Sequence, residues 1–359
     1  MTTDTEQRDK LAGRLFEASL GAFDVLTIHL GLELGLYEAL RDGGRATPVE
    51  LASRAGIDAR YAREWLEQQA VTGILEVDDV TADADARRYL LPPGHAEALL
   101  DPDSPAASQS MLRFVVSAAP MLPALADAYR RGDGVAGDAY PGSVIAQELA
   151  NRPIFRRVLT QEWIPAIPDV HARLTHGGRV ADLACGAGWL AISLAQAYAA
   201  ITVDGLDIDP ESIERARGNA AAEGVGEDRL RFHVVDAATP DLDGRFDLVT
   251  IFEAVHDLAR PVEVLESARR LLGAGGTVLV VDEKVAESFT APGDEIERTM
   301  YAYSVLFCLP EGRADPPSVA TGTVMRPTTL ARYASEAGFS RFTVLPIEHD
   351  VFRLYRLDP

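Results

Sequence analysis

From Gly177 to its last residue the chain alternates short apolar runs with stretches of helical pattern, and this alternation restricts the fold more than any other feature. The runs are Arg179–Leu183, Thr202–Leu206, Leu230–Val235, Phe246–Ile251, Thr277–Val281, Phe342–Ile347 and Val351–Leu357. Strands joined through helices give a parallel sheet with helices on both faces. The last two runs are separated only by Glu348-His349-Asp350, too little for a crossover, so they must form an antiparallel hairpin. The expected architecture is α/β, a doubly wound sheet closed by an antiparallel C-terminal hairpin.

The N-terminal half has no such rhythm. Leu11 to Leu40 is helical in pattern and apolar almost all round, with Leu11, Leu15, Ala18, Ala22, Val25 and Leu26 on one stripe and Phe16, Leu20, Phe23, Leu30 and Leu34 on another. A helix apolar on every side has to be covered on every side, by its own chain or by a partner subunit. Gly31 and Gly35 are expected to break it into at least two pieces. Thr47-Pro48-Val49-Glu50 reads as an N-cap, a proline at the first helical position and an acid in the first turn. A short helix to Ala55, a turn at Gly56 and a second helix from Asp58 to Thr72 follow. Ile74–Val77 and Tyr89–Leu91, separated by a polar tip, complete a small hairpin, so the segment describes a mostly helical winged-helix domain. Prolines 105, 120, 123, 141 and 153 interrupt the helices beyond it. The expected domains are a winged-helix dimerisation domain over 1–100, a helical linker region over 101–165, and a third domain over 166–359.

Charge narrows the partners. Among 359 residues, 34 Lys and Arg face 55 Asp and Glu, a formal charge of −21. Such a surface repels phosphate backbones and anionic lipid, so neither nucleic acid nor membrane is expected as a partner. The second helix of the winged helix sets Arg60 and Arg63 against Asp58, Glu64 and Glu67, which suits dimerisation better than DNA recognition. The uninterrupted apolar runs are shorter than the roughly 18 residues of a membrane span. The polar start, Met-Thr-Thr-Asp-Thr-Glu-Gln-Arg-Asp-Lys, lacks a signal core, and Cys185 and Cys308 make no disulfide framework. A cytoplasmic protein is expected.

Val180-Ala181-Asp182-Leu183-Ala184-Cys185-Gly186-Ala187-Gly188 is a buried strand running into a small-residue turn and then a helix. Small residues let a ligand approach the backbone, and a helix N-terminus favours an anionic group. Gly186-x-Gly188-x-x-Ala191, with Asp207 19 residues past Gly188, also fits a dinucleotide fingerprint, so an NAD-dependent oxidoreductase remains open on this motif. Three features favour another adenosine cofactor. Asp182 precedes the glycines, where it would face a cationic group instead of a pyrophosphate. Asp236 closes the third strand, placed to accept from an adenine amino group. Arg245–Val249 and Leu271–Thr277 then lead into strands four and five.

In order and spacing, residues from about 177 to 359 resemble the class I S-adenosylmethionine-dependent methyltransferases, whose Rossmann-like sheet ends in the same hairpin. Ala184 stands where that family usually has its first loop glycine. The resemblance implies S-adenosyl-L-methionine as cofactor. It implies that Asp182, Ala184, Gly186 and Gly188 shape the loop around the methionyl part, that Asp207 holds the ribose hydroxyls, and that Ile208 packs on adenine. Asp236 and Ala237 would read the adenine edge, and Glu253, after strand four, would line the same cleft.

The whole chain, winged helix included, is similar to the small-molecule O-methyltransferases and their actinobacterial branch, which carry a His-Asp pair after strand four with the histidine as general base. His256 and Asp257 match that pair, and histidine titrates near neutrality. The likeness implies a homodimer built through the N-terminal helices, with Phe16 and Phe23 able to reach a partner's pocket. It implies transfer of a methyl group to a small-molecule acceptor, an oxygen of a phenol or enol. A related branch is a metal-assisted C-methyltransferase of 2-oxo acids, using the His-Asp pair and a second histidine. Here no histidine lies between His256 and His349, so no metal ligand is assigned, although Cys308 falls in roughly the region of a further ligand. The segment from Glu283 to Pro327, with Met300, Tyr301, Tyr303, Phe307 and Met325, is expected to roof the acceptor pocket.

Overall fold

The computed structural model describes residues 3–240, 242 and 245–359. They fall into two compact units, one of residues 1–119 with 145–150 and one of 120–144 with 151–359, so the expected linker region 101–165 is shared between them.

In the first unit, helices Pro48–Ala55 and Ala59–Val71 stand where the capping residues place them. Thr47 and Glu50 form a reciprocal capping box, and Asp58 accepts from the first amides of the second helix. Strands β1 (Glu76–Val77) and β2 (Tyr89–Leu90) pair antiparallel, and a bridge from Ala46 to Tyr89 widens this hairpin. Leu36, Tyr37, Leu40, Leu51, Trp65 and Leu66 fill the core beneath it.

The long N-terminal helix, Asp4–Glu33, differs from expectation at Gly31. The helix runs through this residue and stops at Gly35, which adopts a left-handed backbone (φ 65°). Gly31 is a packing position, because a Cβ there would collide with the Trp65 ring. Only Gly31 and Leu32 of this helix are buried; Leu11, Leu15, Phe16, Leu20, Phe23, Leu26 and Leu30 are between 43% and 64% exposed. By length and composition this helix and the stretch Gln109–Arg131 are long and apolar enough to cross a membrane. The sequence hid this because single charges such as Glu17 and Asp24 interrupt the runs without removing their mean apolarity.

The second unit is built on a seven-stranded sheet of β3 (Arg179–Leu183), β4 (Thr202–Asp207), β5 (Leu230–Val234), β6 (Phe246–Phe252), β7 (Leu272–Glu283), β8 (Arg341–Val344) and β9 (Phe352–Asp358). Its order is β5-β4-β3-β6-β7-β9-β8, parallel except for β9, which runs antiparallel between β7 and β8. Strand β7 starts before Thr277 because Leu272 already pairs with Phe246 across an irregularity in register. Strand β8 stops before Ile347, at the sheet's edge. One apolar layer sets helices Pro168–His176, Trp189–Ala197 and Pro210–Ala222 on one face of the sheet, and another sets Pro261–Leu271 and Pro327–Glu336 on the other. The chain leaves β3 toward β4 on one side and reaches β6 on the other. Loops diverge at that reversal and open a crevice at the strands' carboxyl ends.

Candidate functional site

The sheet brings Asp182, the glycine loop, Asp207, Asp236, Glu253, His256, Asp282 and Glu283 to the carboxyl ends of five strands. After β3 the chain turns through Ala184 (φ 55°), Gly186 (φ 51°) and Gly188 (φ 80°), the last being the N-cap of Trp189–Ala197. Gly188 is required by packing, since a Cβ would lie 2.6 Å from the Phe232 ring and 2.9 Å from Ala216. Above Gly186 nothing lies within 4 Å of where a Cβ would be, so the loop has open space over it. Ala184 takes a left-handed conformation that suits glycine, which stores strain at the mouth of the crevice.

Asp182 is 2% exposed. Its Oδ1 accepts from the Thr250 hydroxyl at 2.8 Å, while its Oδ2 is buried without a partner. Burial, with the nearby charge of Asp207, pushes its pKa up to about 7. An orphaned buried carboxylate oxygen under an open glycine loop fits the ammonium end of an amino-acid cofactor. Asp207 accepts from the Gly186 amide at 2.8 Å through Oδ2 and from the Asp209 amide at 3.0 Å through Oδ1. Burial raises its pKa despite these bonds. Ile208 next to it is 66% exposed, an apolar side chain free to receive a flat ring. Asp236 accepts from the Ala238 amide at 2.8 Å and pairs with Arg260 at 2.6 Å, a partner the sequence did not suggest. Ala237 is buried in an apolar layer, so its backbone is what it can offer a ligand. Glu253 has φ 52°, and its amide donates to Val281 O at 2.7 Å.

His256 is 2% exposed and surrounded by acids. Its Nδ1 lies 2.7 Å from Asp282 Oδ1 and 2.9 Å from Glu283 Oε2, and its Nε2 lies 3.3 Å from Asp257 Oδ2. Burial opposes the charged ring, but Asp257, Glu283 and Asp282 outweigh it and hold the pKa well above the ordinary imidazole range. Burial likewise raises Glu283 well above the carboxylate range, whereas Asp282, buried too, is kept low by the imidazolium. Glu311 is pushed up to about 8 by burial and Asp257, and Cys308 and Tyr303 up to about 12 by burial. Asp282 and Glu283 were missed in the sequence; the signal was there, a buried strand ending in two consecutive acids.

The helix Glu295–Tyr303 continues as wider, π-helical turns over Ser304–Cys308. Tyr140, Tyr303 and Phe307 pack ring to ring, at 5.0 Å and 6.2 Å from the central Phe307. Met300 and Met325 are buried.

Residues 174–323 match the family described as a methyltransferase domain, and residues 22–100 match the Rv2258c-like winged HTH domain. A ubiquinone biosynthesis O-methyltransferase of Pseudomonas aeruginosa (strain LESB58) is 28% identical over 180 residues, covering 50% of this chain and 70% of that protein. Among solved structures, the mitomycin 7-O-methyltransferase MmcR shares the fold at a TM-score of 0.68 and 22% identity, covering 99% of both chains. PigF with SAH does so at 0.71 and 20%, over 100% of both. The chain thus joins a domain matching the Rv2258c-like winged HTH domain to a methyltransferase domain, shares its fold with solved small-molecule methyltransferases, and is an S-adenosylmethionine-dependent methyltransferase.

Proposed function

We propose that this protein transfers the methyl group of S-adenosylmethionine to an oxygen of a small-molecule acceptor, a phenol or enol, at His256. The observation that carries the reading is the His256 ring, buried at the carboxyl end of β6, with Asp282 2.7 Å from Nδ1 and Asp257 3.3 Å from Nε2. The cofactor supplies an activated methyl on a sulfonium sulfur. The chain's own residues do the rest. Asp182 meets the ammonium, Asp207 and the Gly186–Gly188 loop hold the ribose and methionyl parts, and Asp236 reads adenine. The rings of Tyr303 and Phe307 exclude water beside the acceptor. His256 Nε2 takes the proton of the acceptor hydroxyl once the ring, held charged by the acids around it, has passed its own Nε2 proton to Asp257. The name of the P. aeruginosa relative, an O-methyltransferase, supports oxygen as the accepting atom.

We further propose a homodimer, because the exposed apolar stripe of Asp4–Glu33 asks for a cover and a second copy supplies an equal stripe. Arg60 and Arg63 of the winged helix are engaged by Glu64 and Asp85, which leaves them poorly placed for DNA phosphates. The free thiols Cys185 and Cys308 suit a reducing, cytoplasmic setting.

The test is calorimetric titration with S-adenosylhomocysteine, with NADH as control, followed by mass spectrometry of products from hydroxyl, amine and carboxylate acceptors. Binding of the first cofactor alone and a methyl ether as product support the reading. An N-methyl or ester product would overturn the oxygen assignment.

A further inference from the structure

We infer that Arg260 is the positioning residue that makes the cofactor site selective for a 6-aminopurine, by pinning the carboxylate of Asp236, an inference that rests on the reading of Asp236 as the group that meets the adenine amino edge.

Strand β5, which leads to Asp236, is the edge of the sheet and has a strand neighbour, β4, on one side only. The turn after it takes its bracing from the helix Pro261–Leu271. Ala237 and Ala238 lie in one apolar layer with Val264, Leu265 and Ala268 of that helix. The hydroxyl of Ser267, 1% exposed, donates to Ala238 O, and Arg270 donates to the same hydroxyl at 2.6 Å. These contacts hold the backbone of the turn.

The carboxylate is held separately. Asp236 Oδ1 accepts from the Ala238 amide at 2.8 Å and Oδ2 from Arg260 Nη2 at 2.6 Å, so both oxygens are fixed. Arg260 is fixed in turn. It is the N-cap residue of the helix, its carbonyl accepts from the Val264 amide at 3.2 Å, and its Nη1 donates to Glu263 Oε2 at 2.8 Å. A guanidinium is a rigid planar fork, so engaging Glu263 with one arm and Asp236 with the other sets its plane.

Stability does not account for the pair. The Arg260 and Asp236 side chains are 40% and 33% exposed, and an ion pair so open to water contributes little to folding. Its effect lies in geometry. An ionised carboxylate only accepts hydrogen bonds. Held where it meets the amino group of adenine, it confronts the 6-oxo oxygen of hypoxanthine with lone pairs against lone pairs. A carboxylate free to turn escapes this by swinging to the N1–H of hypoxanthine, a donor that adenine lacks. Arg260 closes that escape, and the site then rejects the 6-oxo base.

Calorimetric titration of the full-length protein with S-adenosylhomocysteine and with S-inosylhomocysteine, its 6-oxo analogue, reads this without any methyl transfer. The wild type should prefer the adenosyl compound roughly 10- to 100-fold, the worth of one hydrogen bond to a charged group. Arg260→Met, similar in length and uncharged, should narrow that preference by about 5- to 10-fold, the worth of one ordinary hydrogen bond. A merely structural role would weaken both compounds alike and leave their ratio unmoved. Asp236→Asn should narrow the ratio as well. Should Arg260→Met bind neither compound, Arg260→Lys, which keeps the charge and loses the fork, decides: a narrowed ratio supports the inference and the wild-type ratio overturns it. A wild-type ratio in Arg260→Met, with the preference lost in Asp236→Asn, overturns the role of Arg260 and leaves that of Asp236 standing. No preference in the wild type, or an undiminished one in Asp236→Asn, overturns the adenine reading and this inference with it.

Discussion

Asp207 accepts from the backbone amide of Gly186 at 2.8 Å, so the acid at the end of β4 and the glycine loop after β3 form one mechanical unit. Asp207→Ala should therefore do two things: remove hydrogen bonds to the ribose and release the loop. We expect S-adenosylhomocysteine affinity to fall by about 1–3 kcal/mol, measured by calorimetry. An unchanged Kd would refute the ribose role.

Asp182 gives a pH prediction whose sign is fixed. Its pKa in the folded chain, about 7, lies above its ordinary value of 3.8, so the folded state binds the extra proton. Asp182 then costs the free protein stability progressively as pH rises from about 4 to about 7. Asp182→Asn should raise the Tm at pH 8 and weaken cofactor binding, because the neutral amide no longer attracts an ammonium. Differential scanning calorimetry and titration measure the two halves. A lower Tm would show that the buried carboxylate is already compensated without cofactor.

His256→Ala should lower turnover by roughly 10²- to 10⁴-fold while leaving cofactor affinity in place. The acids that hold the ring, Asp257, Asp282 and Glu283, lie outside the glycine loop, so the two effects separate. Steady-state kinetics beside a binding isotherm decide it, and retained turnover would reduce the ring to a lining group.

Static light scattering should give twice the 38.7 kDa chain mass. Phe16→Glu with Phe23→Glu places charges on the exposed stripe and should return the monomer mass with the helical signal retained. Were the wild type itself monomeric, or recovered only with detergent micelles, the stripe would have another cover and the dimer would fall.

Ala184 is held at φ 55°, where alanine carries a penalty that glycine lacks. Ala184→Gly should stabilise the protein by about 1 kcal/mol through relief of this strain. Thermal unfolding measures it. A loss of stability would mean that the alanine methyl packs well enough to outweigh its backbone.

Much of this was legible in the sequence because the signals were local. The strand runs of the second unit lie within a few residues of β3 to β9, since buried parallel strands are continuous apolar segments. The cap at Thr47 placed the first helix of the winged helix, and the second, expected from Asp58, starts one residue later because Asp58 is its N-cap. Tertiary partners were not legible. Nothing near Asp236 announces Arg260, which reaches it from the start of another helix. Gly31 reads as a helix breaker until the Trp65 ring is seen against it. Asp282 and Glu283 sit where a strand gives way to a long connection, and only the sheet order shows that this strand end neighbours that of β6.

Strand β9, Phe352–Asp358, is bonded on one side to β7 and on the other to β8. The last segment described is therefore an interior plank of the sheet. During synthesis β7 cannot gain its outer neighbour, nor β8 any neighbour at all, until residues up to Asp358 have left the ribosome. A chain without Phe352–Asp358 would expose the edge of β7, and with it Val278 and Val280, to other chains.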